Sequence, residues 1–226
     1  MLSGLILQIQ APDDLSVLDF IGLICGRIAI LSSMALKTFV RVSGINNLSD
    51  ARYCAGMEVN ELGFNIESKH SNYTDPEKFI ELSEWLSGVE FVGEITDDTT
   101  DIAQCIVGYT LNAIQIESLG QIEAALATGL PVSFIADSPE EAKEAWLLSD
   151  RKLSFVLIKS CEAGSIAAEL PTLINDGFNA GDLLSILDQV HPKGIVLEGG
   201  NEIRPGYKDF DELADILELL EIDDLA

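Results

Sequence analysis

The stretch that decides the fold is "GIVLEGGNEIRPGYKDFDELADILELLEI", residues 194–222. It begins with an apolar run, continues through the glycine pair Gly199 and Gly200, and ends in a segment whose apolar residues recur at helical spacing. A buried strand followed by a turn and a helix is the unit from which parallel sheets are built. Paired glycines at this place favour phosphate binding through backbone amides, but Glu198 places a carboxylate directly before them.

The same order of strand, turn and helix recurs upstream of this unit. Seven further strand candidates lie at residues 38–44, 59–66, 90–96, 113–118, 130–137, 153–160 and 170–176. Strands that alternate with helices in this way predict parallel pairing through right-handed crossovers, and they favour a closed (β/α)8 TIM barrel. An open doubly wound sheet is the alternative, but it normally has fewer strands and a phosphate fingerprint after the first one. The short connection 161–169 predicts a shortened sixth helix and loop.

The first 37 residues differ from the rest of the chain. Two apolar runs, "FIGLIC" and "IAILSSMAL", are divided by Arg27, and neither reaches the roughly 18 residues that a membrane helix needs. Met34 begins "MALKTFVRVSG", which is typical of a natural start followed directly by a strand. We therefore expect residues 1–33 to be an N-terminal extension, either a mis-assigned start or a loosely attached segment. Residues 34–226 are predicted to form a single barrel domain.

The charge balance of the chain limits its partners. It carries 13 basic and 38 acidic residues, which give a net charge of −25. Such a surface repels nucleic acid and anionic membranes, so we expect neither as a partner. Four widely spaced cysteines without a C-x-x-C pair, together with only two histidines, argue against a structural metal site and indicate free thiols in a reducing compartment. We therefore expect a cytoplasmic protein without a cofactor, and either a monomer or a homodimer fits the sequence.

Polar residues end the otherwise apolar strands. In order along the chain they are Arg41 and Ser43, Asn65, Glu94, Gln115 and Glu117, Asp137, Lys159, Asp176, and Glu198. The C-terminal ends of barrel strands meet at one face, where the chemistry of this fold is located. The sequence therefore predicts that a small-molecule ligand binds at this mouth. Its predicted ligand contacts include Arg41, Glu94, Gln115, Glu117 and Asp137.

Four segments together resemble a known family. They are "TFVRVSGINNLSDA" (38–51), "VNELGFNIESKHSNYTDPEKF" (59–79), "AIQIES" (113–118) and "GIVLEGGNEIRPGYKDFDEL" (194–213). In this order they look like phosphoribosylanthranilate isomerase, the barrel enzyme of tryptophan biosynthesis. The resemblance runs from about residue 37 to residue 222, and its last segment is the most specific.

The resemblance implies an aldose–ketose isomerase that carries out an Amadori rearrangement of a phosphorylated aminoaldose. Such a reaction needs an acid to open the sugar ring and a base to take the C2 proton. In the family the base is a first-strand cysteine and the acid is an aspartate that ends strand six, and these positions hold Ser43 and Lys159 here. An unassisted hydroxyl keeps its proton far above neutral pH, and an ammonium cannot replace a protonatable carboxyl.

The binding positions of the family differ as well. Its second-loop arginine, which helps to hold the substrate, aligns with Asn72, and its fourth-strand histidine aligns with Glu117. At the position of the family's seventh-strand phosphate turn, this chain has one glycine fewer and one carboxylate more. At the eighth-strand turn, this chain has a glutamate where the family has a serine. The phosphate-turn positions of this chain are Asp176, Gly177, Glu198, Gly199 and Gly200.

Three hypotheses about function follow. The favoured one is a barrel with a degenerate active site that no longer isomerises phosphoribosylanthranilate and binds another small ligand or a partner. The alternative is a functional isomerase whose acid and base have been relocated to Glu94, Glu117 or Asp137. A third is a Schiff-base enzyme of the aldolase type that uses Lys159. A simpler role for Lys159 is an ion pair with Glu117 or Glu198 that neutralises the mouth.

Overall fold

Eight short parallel strands form the centre of the fold. The computed structural model describes residues 36–199, 202–204, 207–208 and 211–222, so the expected extension over residues 1–33 and the turn glycine Gly200 lie outside the described residues. The strands are β1 (Phe39–Ser43), β2 (Glu61–Asn65), β3 (Glu90–Ile95), β4 (Ala113–Ile116), β5 (Val132–Ile135), β6 (Phe155–Lys159), β7 (Thr172–Asp176) and β8 (Gly194–Glu198). Each lies inside the range that the sequence predicts for it.

The strands pair in chain order and close into a barrel through β1 and β8. The closing register runs from Phe39 opposite Gly194 to Ser43 opposite Glu198. The predicted (β/α)8 TIM barrel is confirmed. This register also brings the family's base position directly beside the glutamate that precedes the glycine pair.

Helices follow the strands on the outside of the barrel. They are α1 (Leu48–Gly56), α2 (Pro76–Ser83), α3 (Ile102–Cys105), α4 (Ile122–Ala127), α5 (Pro139–Leu148), α6 (Ser160–Ala163), α7 (Leu183–Val190) and α8 (Asp211–Leu220). The polar residues Asn47, Asp75, Asp101 and Ser138 each precede a helix and accept a hydrogen bond from a backbone amide of its first turn. The predicted shortening after strand six is confirmed, because α6 is a single turn.

The core has two parts because the side chains of a strand alternate between its two faces. Residues on the outer faces, such as Val40 and Val42, are fully buried against the helices. Inside the barrel, Leu157, Leu173 and Val196 form a smaller apolar cluster. That inner cluster closes the barrel from below and supports the polar residues above it.

One small element lies between β8 and the last helix. Glu202–Arg204 (β9) and Tyr207–Lys208 (β10) pair there as a small antiparallel ladder. Helix α8 begins only at Asp211. Among the described residues, none of the helices has the length and apolarity required to cross a bilayer.

Candidate functional site at the barrel mouth

The C-terminal ends of the strands surround a cavity of about 510 Å³, which we call the mouth cavity. Its floor is apolar and consists of Ile135, Leu157 and Val196. Its walls carry amide, hydroxyl and carboxyl groups. Among the residues that the sequence predicts at the strand ends or by the family resemblance, those that line it are Ser43, Asn65, Asn72, Glu94, Gln115, Glu117, Glu198 and Gly199. The structure therefore brings together eight of the positions that the strand ends and the family resemblance indicate.

Glu94 is the most enclosed ionisable group of the mouth cavity. Only 6% of its surface is exposed, and its Oε2 accepts a hydrogen bond from the backbone amide of Gly44 at 3.2 Å. Its Oε1 is buried and has no hydrogen-bond partner among the described residues. The carboxyl group occupies space that exists because residue 63 is a glycine, since a Cβ at Gly63 would overlap with Oε1. This pair of residues on β2 and β3 places an incompletely satisfied carboxyl group beside Ser43.

The surroundings of Glu94 favour its neutral form. Burial raises the pKa of Glu94, and the charge of Glu198 raises it further. Hydrogen bonds from the Ser43 side chain and the Gly44 amide, together with the charge of Arg41, act in the opposite direction but do not cancel the effect of burial. Glu94 therefore holds its proton to a higher pH than an exposed glutamate does.

Arg41 does not lie at the mouth, where its place near the end of β1 predicts it. The side chain is fully buried inside the barrel, below the mouth cavity. Its Nε donates to Glu61 at 2.6 Å, Nη1 donates to Gln115 at 2.9 Å and Nη2 donates to Ser133 at 3.0 Å. Since these three partners lie on other strands, Arg41 ties the inside of the barrel together, and the prediction that it contacts the ligand is corrected accordingly.

The two remaining carboxylates of the relocated-isomerase hypothesis have different positions. Glu117 lines the mouth cavity, whereas Asp137 does not. Burial raises the pKa of Glu117, and the neighbouring charges of Asp137 and Glu67 add to this effect. Asp137 is exposed, and its backbone amide donates to the side chain of Glu141 at the start of α5.

Asn72 lines the mouth cavity, but its amide group is used within the protein. Its Nδ2 donates to the backbone carbonyl of Gly44 at 2.8 Å, and its Oδ1 accepts a hydrogen bond from Asn46. Asn72 therefore fixes the loop after β1. An arginine at this position would place a positive charge near a ligand, whereas the side chain of asparagine is neutral.

Lys159 lines an adjoining cavity of about 490 Å³, together with Asp176, Gly177 and Glu198. The register between β6 and β7 shifts at Ile158 and Lys159, so that Lys159 lies opposite Asp176. The expected ion pair with Glu117 or Glu198 is not found, since the salt bridges between described residues do not include Lys159. The two catalytic positions of the family thus face different cavities, and Glu198 lines both.

The seventh-strand turn is closed by its own carboxylate. The backbone amide of Gly177 donates to Oδ1 of Asp176 at 2.6 Å. Gly177 has a positive φ of 82°, which favours glycine, and its carbonyl accepts a hydrogen bond from the Ser160 hydroxyl. An amide that could serve an anion is therefore already paired with a negative group.

Asn175 in the site and Glu67 beside it are not among the predicted site residues. Asn175 lines both cavities and has a buried Oδ1 without a partner among the described residues. Strict alternation from the inward-facing Leu173 would have indicated Asn175 as the inward residue of β7. Glu67 follows β2 and accepts hydrogen bonds from Thr96, Asp97 and Thr100, which hold the loop after β3. Burial alone would raise the pKa of Glu67, but these hydrogen bonds lower it below its ordinary value.

The barrel and its mouth can be compared with known proteins. No protein family model matches the chain. A curated N-(5'-phosphoribosyl)anthranilate isomerase from Thermotoga neapolitana is 28% identical over 192 residues, which cover 75% of this chain and 92% of the relative. The corresponding protein from Gloeothece citriformis is 25% identical over 204 residues, which cover 80% of this chain and 93% of the relative.

Solved structures show the same fold. Phosphoribosyl anthranilate isomerase from Thermotoga maritima superposes with a TM-score of 0.67 at 21% identity, over 81% of this chain and 98% of that one. The enzyme from Pyrococcus furiosus gives a TM-score of 0.66 at 18% identity over the same shares of the two chains. The curated relatives match over nearly their whole length, and the barrel is shared throughout. The chain is thus similar to phosphoribosylanthranilate isomerases in sequence, over nearly the whole length of those relatives, and shares their barrel fold.

Proposed function

We propose that this barrel no longer carries out the Amadori rearrangement and that its mouth cavity binds a small ligand without a phosphate group. The observation that carries the proposal is the hydrogen bond from the Gly177 amide to the Asp176 carboxylate. Phosphate binding at such a turn depends on free backbone amides and on the absence of competing negative charge. Here the amide is occupied, and Glu198 adds a second carboxylate to the same cavity.

The proton-transfer groups support the same conclusion. Ser43 stands at the base position, and its hydroxyl has a carboxyl group, not an imidazole, as its partner. Burial raises the pKa of that carboxyl, so Glu94 is ionised over a narrower pH range than an exposed glutamate and is less available to take a proton from Ser43. Lys159 occupies the acid position but faces the adjoining cavity. Because each proton-transfer group contributes about 10²–10⁴-fold to such a reaction, the loss of both would leave little turnover.

The charge of the mouth cavity differs from what the family's ligand requires. One solved relative was crystallised with reduced 1-(o-carboxyphenylamino)-1-deoxyribulose 5-phosphate, which carries both a phosphate and a carboxylate. The mouth cavity of this chain is lined by Glu94, Glu117 and Glu198. Two like charges about 4 Å apart repel by about 4 kcal/mol at an effective dielectric constant near 20. A doubly anionic substrate is therefore disfavoured.

The proposal is tested by turnover of phosphoribosylanthranilate, followed through the loss of its fluorescence, and by rescue of a tryptophan auxotroph that lacks the isomerase. We expect no turnover above background and no rescue, while a relative such as the Thermotoga maritima enzyme gives both in the same assays. Turnover that disappears in Ser43→Ala or Lys159→Ala would overturn the proposal, since those positions would then be catalytic.

A second candidate, a relocated isomerase, is favoured by the contact between Ser43 and Glu94. A carboxyl group with a raised pKa at the mouth could act as a general acid. Glu94→Gln separates the two proposals, because it keeps the size of the side chain and replaces the ionisable carboxyl group with an amide that cannot act as a general acid. Under the relocated mechanism, any turnover would fall by about 10²-fold or more in this variant. Under the favoured proposal, turnover is absent from both proteins.

A further inference from the structure

Two buried oxygen atoms at the mouth cavity have no hydrogen-bond partner among the described residues. They are Oε1 of Glu94 and Oδ1 of Asn175, and both side chains line the cavity. Buried polar atoms are paired in the great majority of native structures, and an unpaired one costs free energy. Both atoms are acceptors, so a ligand that satisfies them has to bring hydrogen-bond donors.

Apart from His70, the ionisable side chains that line the mouth cavity are all carboxyl groups. Glu94, Glu117 and Glu198 line it, and no lysine or arginine of the described chain does so. His70 also lines it, and its Nδ1 accepts a hydrogen bond from the backbone amide of Asn72. Since the chain as a whole carries −25, its long-range field also attracts cations to this mouth.

The described side chains supply no ligand set for a metal ion. Within the described ranges, no group of three or more histidine, cysteine, aspartate or glutamate side chains comes close enough to hold a metal. A single enclosed carboxylate with one free oxygen instead suits an ammonium group, which donates up to three hydrogen bonds. Burial raises the pKa of Glu94, and an ammonium against Oε1 would favour its ionised form.

The rest of the cavity suits hydroxyl groups on a compact carbon skeleton. The side-chain amide nitrogens of Gln115 and Asn65 donate no hydrogen bond to any described residue, although the oxygen atoms of both side chains are engaged. The apolar floor lies below these amides, as a face of C–H groups would require. A volume of about 510 Å³ is within the range of small-molecule sites.

We infer that the mouth cavity binds a small polyhydroxylated amine, whose ammonium group contacts Glu94 and whose hydroxyl groups contact the amides of Gln115 and Asn65. This inference rests on the proposed function, in which the mouth takes a ligand without a phosphate. It adds the charge and the chemical class of that ligand.

Three matched hexoses test the inference: D-glucosamine, D-glucose and D-glucose 6-phosphate. They share a ring of hydroxyl groups and differ in carrying a cation, no charge or an anion. Binding is measured by calorimetry with the full chain, at a pH below the pKa of the amine. We expect D-glucosamine to bind at least about tenfold more tightly than D-glucose, and D-glucose 6-phosphate to bind most weakly.

The other possible orders of affinity for the three hexoses contradict the inference, the proposed function or both. Equal binding of D-glucosamine and D-glucose, or no binding of any of the three, would overturn the inference and leave the proposed loss of isomerase activity untouched. Tightest binding of D-glucose 6-phosphate would contradict both. Turnover of phosphoribosylanthranilate overturns only the proposed function if D-glucosamine still binds best.

Glu94→Gln tests the contact itself. We expect this variant to lose the preference for D-glucosamine over D-glucose by about tenfold, because the carboxylate is gone while the shape is kept. Glu144→Gln is the matched control, since it removes the same charge from the exposed side of α5 and should keep the preference. If Glu94→Gln fails to fold, Glu117→Gln replaces it, with a smaller expected loss because Glu117 is exposed. An unchanged preference in the variant that folds would contradict the inference.

Discussion

The backbone amide of Gly177 donates a hydrogen bond to the carboxylate of the preceding residue, Asp176, at 2.6 Å. In this geometry the chain supplies its own anion to a turn that resembles a phosphate turn. Glu198 lines the same cavity from β8. The two acidic side chains, rather than a loss of the turn, therefore oppose phosphate binding at this place.

The first prediction concerns this turn. The double variant Asp176→Gly/Glu198→Ser frees the Gly177 amide and removes two negative charges from the adjoining cavity. We expect its affinity for ribose 5-phosphate to rise at least about tenfold over that of the unmodified chain, because the two like charges that repel a phosphate are gone. Titration calorimetry measures the change.

Two controls accompany that experiment. Unphosphorylated ribose should show no comparable gain, and Glu144→Gln, which changes the charge on an exposed helix, should leave the affinity for ribose 5-phosphate nearly unchanged. An equal gain for ribose and ribose 5-phosphate would show that the two acids do not act on the phosphate.

The second prediction concerns the order in which activity can be restored. Ser43→Cys/Lys159→Asp returns the family's base and acid but leaves Asp176 and Glu198 in the adjoining cavity. We expect this double variant to stay at background turnover of phosphoribosylanthranilate, because under the proposed function these two carboxylates oppose binding of the substrate phosphate. Adding Asp176→Gly and Glu198→Ser should give turnover about 10²-fold or more above the double variant. The loss of substrate fluorescence measures both, and full activity of the double variant alone would contradict the prediction.

The barrel itself could be predicted because its signals are local. Apolar runs such as "GIVL" and the Asp75–Pro76 helix start are read within one segment, and they fix the type and order of the elements. The place of Arg41 is a different case, since its partners Glu61, Gln115 and Ser133 lie 20, 74 and 92 residues further along the chain. No local spacing shows that three other strands supply them.

The site could be predicted only in part, because contacts between distant segments leave no local signal in the sequence. Alternation along β1 places Ser43 on the inner face, as found. The enclosure of Glu94 depends on a glycine on the neighbouring strand, Gly63, which leaves room for its carboxyl group. The pairing of the Gly177 amide with Asp176 depends on a side-chain conformation. The position of a residue at a strand end indicates that it reaches the mouth. It does not indicate whether its polar atoms already have hydrogen-bond partners within the protein.

The third prediction is a pH dependence of stability at Glu94. Burial raises its pKa above the ordinary value of 4.5, so the folded protein holds this proton more tightly than the unfolded chain. The resulting stabilisation is complete below the unfolded pKa and is lost as the pH rises through the folded pKa. Glu94→Gln keeps a neutral group at every pH. Its free energy of unfolding, relative to the unmodified chain, should therefore increase with rising pH, by about 1.4 kcal/mol for each unit of pKa shift.

Urea unfolding at several pH values between acidic and mildly alkaline conditions measures this difference. Arg41 and Glu198 are the charged residues that influence Glu94, and their interactions with its carboxylate are part of the measured difference. Groups that do not interact with Glu94 are the same in both proteins and cancel. Glu144→Gln should show no such trend, because that residue is exposed. A difference for Glu94→Gln that is constant over the pH range would contradict the raised pKa.

The fourth prediction separates a structural role of Arg41 from a ligand contact. Arg41→Met leaves the buried carboxyl of Glu61 without its partner, which typically costs about 3–5 kcal/mol of the free energy of unfolding. Arg41→Met/Glu61→Leu removes both charges and should recover most of that loss, since replacing a buried ion pair with apolar residues is often neutral. Urea unfolding measures the stability and calorimetry measures D-glucosamine binding, which the double variant should largely keep. If the double variant folds stably but loses binding, Arg41 contacts the ligand after all and the structural assignment is wrong.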